Sequence, residues 1–209
     1  MKRIAIFASG SGTNLENLLT KIRGKELKAV PALVFSDVPG APCLERARKF
    51  DVPVVSFTPK AFYDKHAFES RVIETAEQYE IDYIVLAGYM RILTPRFIKR
   101  FQWRIINVHP SLLPAFRGAH AIKDAFEAKA EKTGVTIHLA TENVDGGPII
   151  LQEEVPILPD DTLETLEARV HETEYRLYPR ALKLVFDGKV IMEDNKIRFV
   201  GENAKTDAK

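Results

Sequence analysis

The chain contains little cysteine and tryptophan and carries almost no net charge. Its 209 residues include one cysteine, Cys43, and one tryptophan. A single cysteine excludes an internal disulfide and a zinc site built on cysteines, and it suits a reducing cytoplasm. The formal net charge of +1 gives no electrostatic signature of a nucleic-acid or membrane-binding surface. We therefore expect a cytoplasmic protein whose partners are small molecules, with no nucleic acid and no membrane.

Long apolar runs, repeats and known metal motifs are also missing. No segment approaches the length of a transmembrane helix, and the apolar run after Arg3 is too short for a signal peptide. The five histidines do not follow the HExxH spacing, so we expect no metal. There is no Gly-x-Ser-x-Gly elbow and no evident base beside Cys43, which disfavours covalent catalysis.

Apolar, β-rich segments alternate with segments of helical period up to about residue 130. The strands are predicted at 3–8, 29–36, 53–57, 82–88 and 103–109, and the helices at 14–22, 41–50 and 61–80. The apolar face of the last helix is formed by Phe62, Phe68, Val72 and Ala76. This alternation predicts an α/β fold: a Rossmann-like, doubly wound, mostly parallel sheet with right-handed crossovers.

The pattern changes in the second half of the chain. Segments 133–140 and 147–157 read as strands with no room for a helix between them, so we expect an antiparallel pair. A long helix at 162–186 and a hairpin within 188–200 follow, which together predict an antiparallel C-terminal extension. We expect a single domain over 1–200, with halves 1–109 and 110–200, and a flexible tail at 201–209.

A glycine loop, "ASGSGTNLENLL", connects the first strand to the first helix. Gly10 and Gly12 allow close approach of the backbone, and Thr13 or Asn14 can cap a helix whose free N–H groups face an anion. The loop lacks the third glycine of the dinucleotide fingerprint and the lysine of a Walker loop. It suits a monophosphate, and the alternative is a tight turn with no ligand.

Asn107 and His109 end the predicted strand at 103–109, and a loop containing Pro110 follows. Residues two apart in a strand share a face, so an amide donor and a titratable imidazole point the same way. Such a pair can stabilise an oxyanion and transfer protons. The alternative is a capping asparagine beside an incidental histidine.

Asp145 lies in a glycine-flanked turn, "TENVDGGPI", between the two antiparallel strands. A carboxylate placed against His109 would raise the pKa of the imidazole and fix its orientation. Aspartate in such a turn can also serve only local hydrogen bonds. Among the other histidines, we expect His120 in a supporting position near the site, His138 packed within a strand and His66 exposed on a helix.

Five segments together resemble the folate-dependent formyltransferases. They are "FASGSGTNL", "VLAGYMRIL", "NVHPSLLPAF", "TGVTIHLATENVDGGPI" and "HETEYRLYP". The resemblance runs from about residue 2 to residue 190, and the glycine loop selects the glycinamide ribonucleotide branch. It implies that 10-formyltetrahydrofolate, as co-substrate and without a metal, donates its formyl group to the amine of 5-phosphoribosylglycinamide in purine synthesis.

The resemblance also implies roles for individual residues. The catalytic residues would be Asn107, His109 and Asp145. The ribonucleotide would be bound by Gly12, Thr13, Asn14 and Glu174. The folate would be bound by Lys65, Met90, Arg91, Ile92, Leu93, Asn107, Thr141, Glu142, Asn143, Val144 and Asp145. The family often has arginine in place of Lys65 and proline in place of Arg117.

Three rival functions remain open at this point. Formyltetrahydrofolate deformylase uses the same scaffold with an extra N-terminal domain, and methionyl-tRNA formyltransferase adds a basic C-terminal domain; we expect neither addition. A non-catalytic phosphosugar or folate-binding module would have no need for Asn107, His109 and Asp145 together. The oligomeric state, monomer or homodimer, is left undecided.

Overall fold

The computed structural model describes residues 1–200. Contacts divide the chain into two compact units, Met1–Ile106 and a second unit that begins at Asn107. This boundary lies close to the expected division after residue 109, and a single domain over 1–200 stays a prediction. The tail expected at 201–209 lies outside the described residues. Within residues 1–200, no helix is both long and apolar enough to cross a membrane.

The first unit alternates strands and helices. Its strands are β1 (Lys2–Phe7), β2 (Ala29–Ser36), β3 (Val54–Ser56) and β4 (Tyr83–Leu86), followed by the start of β5 (Ile105–His109). Its helices are α1 (Thr13–Arg23), α2 (Pro42–Arg48), α3 (Lys65–Gln78) and α4 (Pro95–Arg100). The order of strands in the sheet is β3-β2-β1-β4-β5.

Strand β1 lies at the centre of this order and is buried from Ile4 to Phe7 with no exposed surface. It pairs in parallel with β2 on one side and with β4 on the other. A continuous apolar run is typical of a parallel strand covered on both faces. Strands β2 and β3 lie on one side of β1, and the next strands along the chain, β4 and β5, lie on its other side. The strand order therefore reverses beside β1. The predicted doubly wound, mostly parallel sheet is confirmed.

The second unit begins within β5 and continues the strand order as β5-β6-β7. Its elements are α5 (Ala121–Glu127), β6 (Lys132–Leu139), β7 (Ile149–Pro156), α6 (Leu163–Phe186), β8 (Val190–Glu193) and β9 (Lys196–Phe199). Strands β6 and β7 are antiparallel, and so are β8 and β9. Helix α6 starts at a capping box in which Thr162 and Thr165 bond each other's backbone N–H. The antiparallel extension is confirmed.

Helix α3 is shorter than the expected 61–80. Asp64 caps it, because its Oδ1 accepts the N–H of Ala67 at 2.7 Å, and the helix begins at Lys65. The preceding residues form a short 3-10 helix, Pro59–Ala61. Phe62 therefore lies outside α3, although its ring still packs against Phe68 at 5.7 Å.

Candidate active site

Asn107 and His109 occupy the last positions of β5. Asn107 is half-buried, Val108 between them is buried, and His109 is 5% exposed. Both polar side chains have partners within the second unit. The end of this strand therefore places an amide and an imidazole in a mostly enclosed position.

His109 has an acceptor on each side of its ring. Its Nε2 lies 2.9 Å from the carbonyl oxygen of Phe116, which can only accept a hydrogen bond, so Nε2–H is the donor. Its Nδ1 lies 3.5 Å from Oδ1 of Asp145, an ion-pair distance longer than a short hydrogen bond. Both ring nitrogens of His109 therefore face acceptor oxygens.

Asp145 is held in the turn between β6 and β7 with its side chain 11% exposed. Its φ of 51° lies in the left-handed region, which aspartate tolerates better than most residues. Its Oδ2 accepts the N–H of Gly118 at 3.0 Å, which leaves Oδ1 towards His109. The turn folds against β6 so closely that a Cβ on Gly147 would lie 1.7 Å from the carbonyl oxygen of Leu139.

His138, on β6, belongs to the same group of side chains. It is 2% exposed, and its Nε2 lies 3.1 Å from Nδ2 of Asn107. An amide nitrogen can only donate, so Nε2 accepts and the ring proton is on Nδ1, which donates to the carbonyl of Leu139 at 3.1 Å. Burial lowers the pKa of His138 despite Asp145 at 3.9 Å. A neutral His138 therefore orients the amide of Asn107.

The sequence predicts His138 as a packing residue within a strand. Its burial agrees with that prediction, but its contact with Asn107 was missed. The alternation of side chains along β6 puts Thr136 and His138 on one face. Two polar residues on the same strand face were the signal that could have predicted a polar role for His138.

The loop after β5 is attached to the antiparallel strands by hydrogen bonds. Thr136 Oγ1 donates to the carbonyl of Ser111 at 2.6 Å and accepts the N–H of Leu113 at 3.1 Å. Gln152 Nε2 donates to the carbonyl of Leu113 at 3.0 Å and to Thr136 Oγ1 at 2.7 Å. These bonds hold the segment that carries the Phe116 carbonyl to His109.

The remaining predicted residues of the second unit differ in their surroundings. Glu174 on α6 is 3% exposed, and its Oε2 lies 2.9 Å from Nδ1 of His171, which raises the pKa of that histidine. His120 is exposed at the N-cap of α5, and within residues 107–200 no hydrogen bond or ion pair joins it to the catalytic candidates. The turn residues expected at the folate are half-buried or exposed: Thr141, Glu142, Asn143 and Val144.

In the first unit, the glycine loop leads directly into α1. The expectation that Thr13 or Asn14 caps this helix is wrong, because the N-cap is Gly12, at φ 76°. A Cβ on Gly12 would lie 2.5 Å from the Cβ of Cys43, so only glycine fits. The helix therefore starts one residue earlier, and Thr13 and Asn14 belong to its first turn, where N–H groups are not used within the helix.

Arg46 on α2 supports the same loop and was not identified from sequence. Its Nε donates to the carbonyl of Ser11 at 2.8 Å, and its guanidinium also pairs with Glu16. No local sequence pattern predicts this contact, because Arg46 and Ser11 are 35 positions apart in the chain.

A pocket of about 320 Å³ in the first unit brings several of the predicted folate-binding residues together. Lys65, Arg91 and Ile92 line it, whereas Met90 and Leu93 do not. The aromatic part of the wall comes from Phe62, Tyr63, Phe68 and Tyr89. The pocket thus combines aromatic and cationic groups with the carboxylates of Asp64 and Glu69. The aromatic part of the wall suits a flat ligand.

No group of three or more His, Cys, Asp or Glu side chains in residues 1–200 is arranged to hold a metal ion. The only cysteine of the chain, Cys43, is buried and forms no disulfide. Its thiol donates to the carbonyl oxygen of Ala8 at 3.6 Å, and burial raises the pKa of that thiol.

Comparison with known proteins identifies the family of the chain. A family profile described as formyl transferase matches residues 2–182. This chain belongs to the formyl transferase family. It is 43% identical over 183 residues to the phosphoribosylglycinamide formyltransferase of Bacillus subtilis (strain 168), which covers 88% of this chain and 94% of that protein.

Solved structures of the formyl transferase family agree with this assignment. Glycinamide ribonucleotide transformylase 1 from Symbiobacterium toebii superposes with a TM-score of 0.93 at 40% identity, covering 96% of this chain and 95% of that one. A formyltetrahydrofolate deformylase from Pseudomonas syringae pv. tomato str. DC3000 gives a TM-score of 0.88 at 28% identity, covering 96% of this chain and 66% of that one. The transformylase is the nearer of these two in sequence.

Proposed function

We propose that this formyltransferase moves the formyl group of 10-formyltetrahydrofolate to the amine of 5-phosphoribosylglycinamide, a step of de novo purine (IMP) synthesis. The names of the similar proteins support this choice of substrates. The observation that carries the proposal is the group formed by Asn107, His109 and Asp145, with Nδ1 of His109 3.5 Å from the carboxylate.

The chemistry follows from the donors in this group. The amine nitrogen attacks the formyl carbon, a C–N bond forms, and the carbonyl electrons move to oxygen to give a tetrahedral oxyanion. The Asn107 amide and the Nε2–H of protonated His109 stabilise that charge, with the formyl oxygen replacing the Phe116 carbonyl as acceptor. Removing one such donor typically lowers the rate by about 10²–10³.

Proton transfer completes the reaction without a covalent enzyme intermediate. The new ammonium loses a proton, N10 of the folate gains one, and the bond between N10 and the formyl carbon breaks. His109 is the group placed to move protons, and the Asp145 carboxylate stabilises its charged form. Because Asp145 is also bound to Gly118, its carboxylate is already oriented before the substrates arrive.

We assign the two substrates to the residues named by the family resemblance. The ribonucleotide phosphate is assigned to Gly12, Thr13 and Asn14 at the start of α1, where the helix dipole favours an anion. As a separate assignment, Glu174 accepts hydrogen bonds from the glycinamide amine. The folate is assigned to the first-unit pocket through Lys65, Arg91 and Ile92, with Met90 and Leu93 beside them in the sequence. The turn 141–145 of the second unit is a separate assignment to the same ligand. His120 is assigned a supporting role.

A formyl-transfer assay with purified protein tests this proposal. Formyl transfer from 10-formyltetrahydrofolate to 5-phosphoribosylglycinamide should greatly exceed release of formate to water. Formate release that is independent of the ribonucleotide would instead show the deformylase activity. Binding of both ligands without any turnover would show a binding module. The cytoplasmic location stays a prediction.

A further inference from the structure

Asp37 is a buried carboxylate that the proposed reaction does not use. It follows β2 directly and is 6% exposed. An ionised carboxylate in such a position is costly unless charges and hydrogen bonds compensate it. The hydrogen-bond partners of Asp37 therefore indicate the role of this buried carboxylate.

Both oxygens of Asp37 bind residues from the ends of other strands. Ser9, just after β1, donates through Oγ to Oδ1 at 2.6 Å. Arg91, in the segment after β4, donates through Nε to Oδ2 at 2.8 Å. Ser9 Oγ in turn accepts the backbone N–H of Met90 at 3.0 Å. Asp37 thus fixes both the side chain of Arg91 and the backbone beside it.

Ser9 alone would not require a charge at position 37, because an asparagine oxygen accepts a hydroxyl equally well. Arg91 favours a charge there, because a hydrogen bond between a guanidinium and a carboxylate is roughly twice as strong as a neutral one. Its guanidinium carbon also lies over the ring of Phe68, at 5.8 Å from the ring centroid. Only Nε is used in the bond to Asp37, and within residues 1–200 no other hydrogen bond from Arg91 is formed, so the four N–H donors on its terminal nitrogens remain available.

These terminal donors belong to a residue that lines the 320 Å³ pocket together with Lys60 and Lys65. A planar guanidinium binds a carboxylate through two parallel hydrogen bonds, but only when its plane is correctly oriented. A long arginine side chain that is 44% exposed would otherwise lose considerable rotamer entropy on binding. A fixed arginine avoids that cost.

We propose that Asp37 is a positioning residue for the folate co-substrate: it holds Arg91 and the Met90–Arg91 backbone in the geometry that receives a carboxylate of the ligand. Asp37 does not touch the reacting atoms. The inference rests on the proposed function, because it assigns the pocket of Arg91 to the folate.

The Asp37→Asn variant tests this role. Asparagine has a similar size, but it cannot accept from both Ser9 and Arg91 and has no charge. We expect the KM for 10-formyltetrahydrofolate to rise about tenfold, within the range of coupling between contacting residues, while kcat and the KM for the ribonucleotide stay near wild type. Asp37→Ser, which is smaller and also uncharged, carries the same expectation if Asp37→Asn does not fold.

Asp82→Asn is the matched control in the first unit. Asp82 Oδ2 accepts the backbone N–H of Arg3 at 2.8 Å, so this variant also removes the charge of a hydrogen-bonded carboxylate at a strand end. We expect all three kinetic constants of the control to remain near wild type. A damaged fold would instead change kcat and both KM values together.

A double-mutant comparison tests whether Asp37 acts through Arg91. In an Arg91→Met background, adding Asp37→Asn should raise the folate KM by much less than tenfold, because only the bond through Ser9 to the Met90 backbone is left to lose. A further tenfold rise there would overturn the inference, and so would a wild-type folate KM in the folded Asp37→Asn protein.

Calorimetric titration with 10-formyltetrahydrofolate alone separates this inference from the proposed function. If the wild-type protein transfers no formyl group, the proposed function fails, and an approximately tenfold weaker Kd in Asp37→Asn would still support the positioning role. If the wild-type protein is active and the variant binds the folate equally well, the positioning role is wrong and the proposed function stands.

Discussion

At the scale of single residues, the carboxylate of Asp145 has two separate tasks. Its Oδ2 binds the N–H of Gly118, and its Oδ1 faces His109. The first contact needs only an acceptor, whereas the second needs a negative charge. A substitution that keeps the acceptor and removes the charge therefore separates structure from catalysis.

We predict that Asp145→Asn lowers kcat by about 10²–10⁴, the usual contribution of a positioned acid or base, and leaves the fold intact. His109→Ala should lower kcat to a similar extent. Steady-state kinetics and circular dichroism check both variants. Asp124→Asn, at an exposed position of α5, is the control, and a kcat near wild type in Asp145→Asn would remove the carboxylate from the mechanism.

A second prediction at this scale concerns His138 and pH. Burial lowers its pKa in the folded chain, so the unfolded chain binds the proton more readily as the pH falls below about 6.5, the ordinary pKa of histidine. The free energy of unfolding should therefore decrease on acidification in this window. One proton contributes a slope of at most about 1.4 kcal/mol per pH unit.

Urea unfolding at several pH values between 5 and 8 measures this slope, and His138→Gln should make it smaller. The raised pKa of His171 works in the opposite direction, because its stabilisation is present at low pH and is lost as the pH rises through its folded pKa. The difference between wild type and His138→Gln isolates His138. Equal slopes in the two proteins would show that His138 is not buried as a neutral ring.

The sequence could predict part of the site at this scale. The period of two along a strand placed Asn107 and His109 on one face, and burial and hydrogen bonding agree. The approach of Asp145 could not be derived from spacing alone, because it depends on a turn 36 positions beyond His109 folding back; the family resemblance supplied it. His138 and Arg46 were missed because each acts through a contact that only the folded chain creates.

At the scale of elements, the glycine loop and α1 give the sharpest expectation. Gly10 and Gly12 are neighbours in the same loop, but they differ in the space around them. A Cβ on Gly12 would collide with Cys43, and its φ is +76°, whereas a Cβ on Gly10 would meet nothing within 4 Å.

We predict that Gly12→Ala destabilises the protein by about 1–3 kcal/mol, from left-handed strain together with overpacking. The same variant should raise the KM for the ribonucleotide. Gly10→Ala is the matched control and should change stability by less than about 1 kcal/mol. Thermal unfolding and kinetics check the pair, and equal stabilities would show that the contact with Cys43 relaxes freely.

Element prediction succeeded where the apolar pattern is long. Strand β2 and helix α6 agree with the predicted ranges to within one residue, because many residues contribute to each pattern. The two helices that went unpredicted, α4 and α5, have six and seven residues. Two turns are too few to establish a period of 3.6, so their start signals, such as Thr94 before Pro95, were not recognised.

At the scale of the whole molecule, burial is concentrated on the central strand of the first unit. Residues Ile4–Ala8 have no exposed surface, and β1 is flanked by two parallel partners. By contrast, β3 has three residues and none of them is buried. The free energy needed to open each strand should differ accordingly.

We predict that the amides of β1 exchange with solvent most slowly within the first unit and that those of β3 exchange among the fastest of its strands. Hydrogen exchange followed by mass spectrometry or NMR checks this order. Comparable exchange rates in β1 and β3 would mean that the sheet opens as one unit. The free energy of opening a strand would then not depend on its burial.

The sequence predicted the α/β class, the doubly wound arrangement and the antiparallel strands, because these follow from alternation and connection length. It could not predict the boundary at Ile106, since that point lies inside β5, which the pattern predicts as one continuous strand. Only the distribution of contacts in the folded chain divides it there.

Because Cys43 packs against Gly12, the reactivity of its thiol can report whether the glycine loop is open or occupied. The thiol is the only one in the chain, it is fully buried, and it lies directly behind the loop assigned to the ribonucleotide. A thiol-reactive dye can therefore label the protein only when this region opens. The labelling rate, slowed by added ribonucleotide, would measure ligand occupancy without any engineered probe.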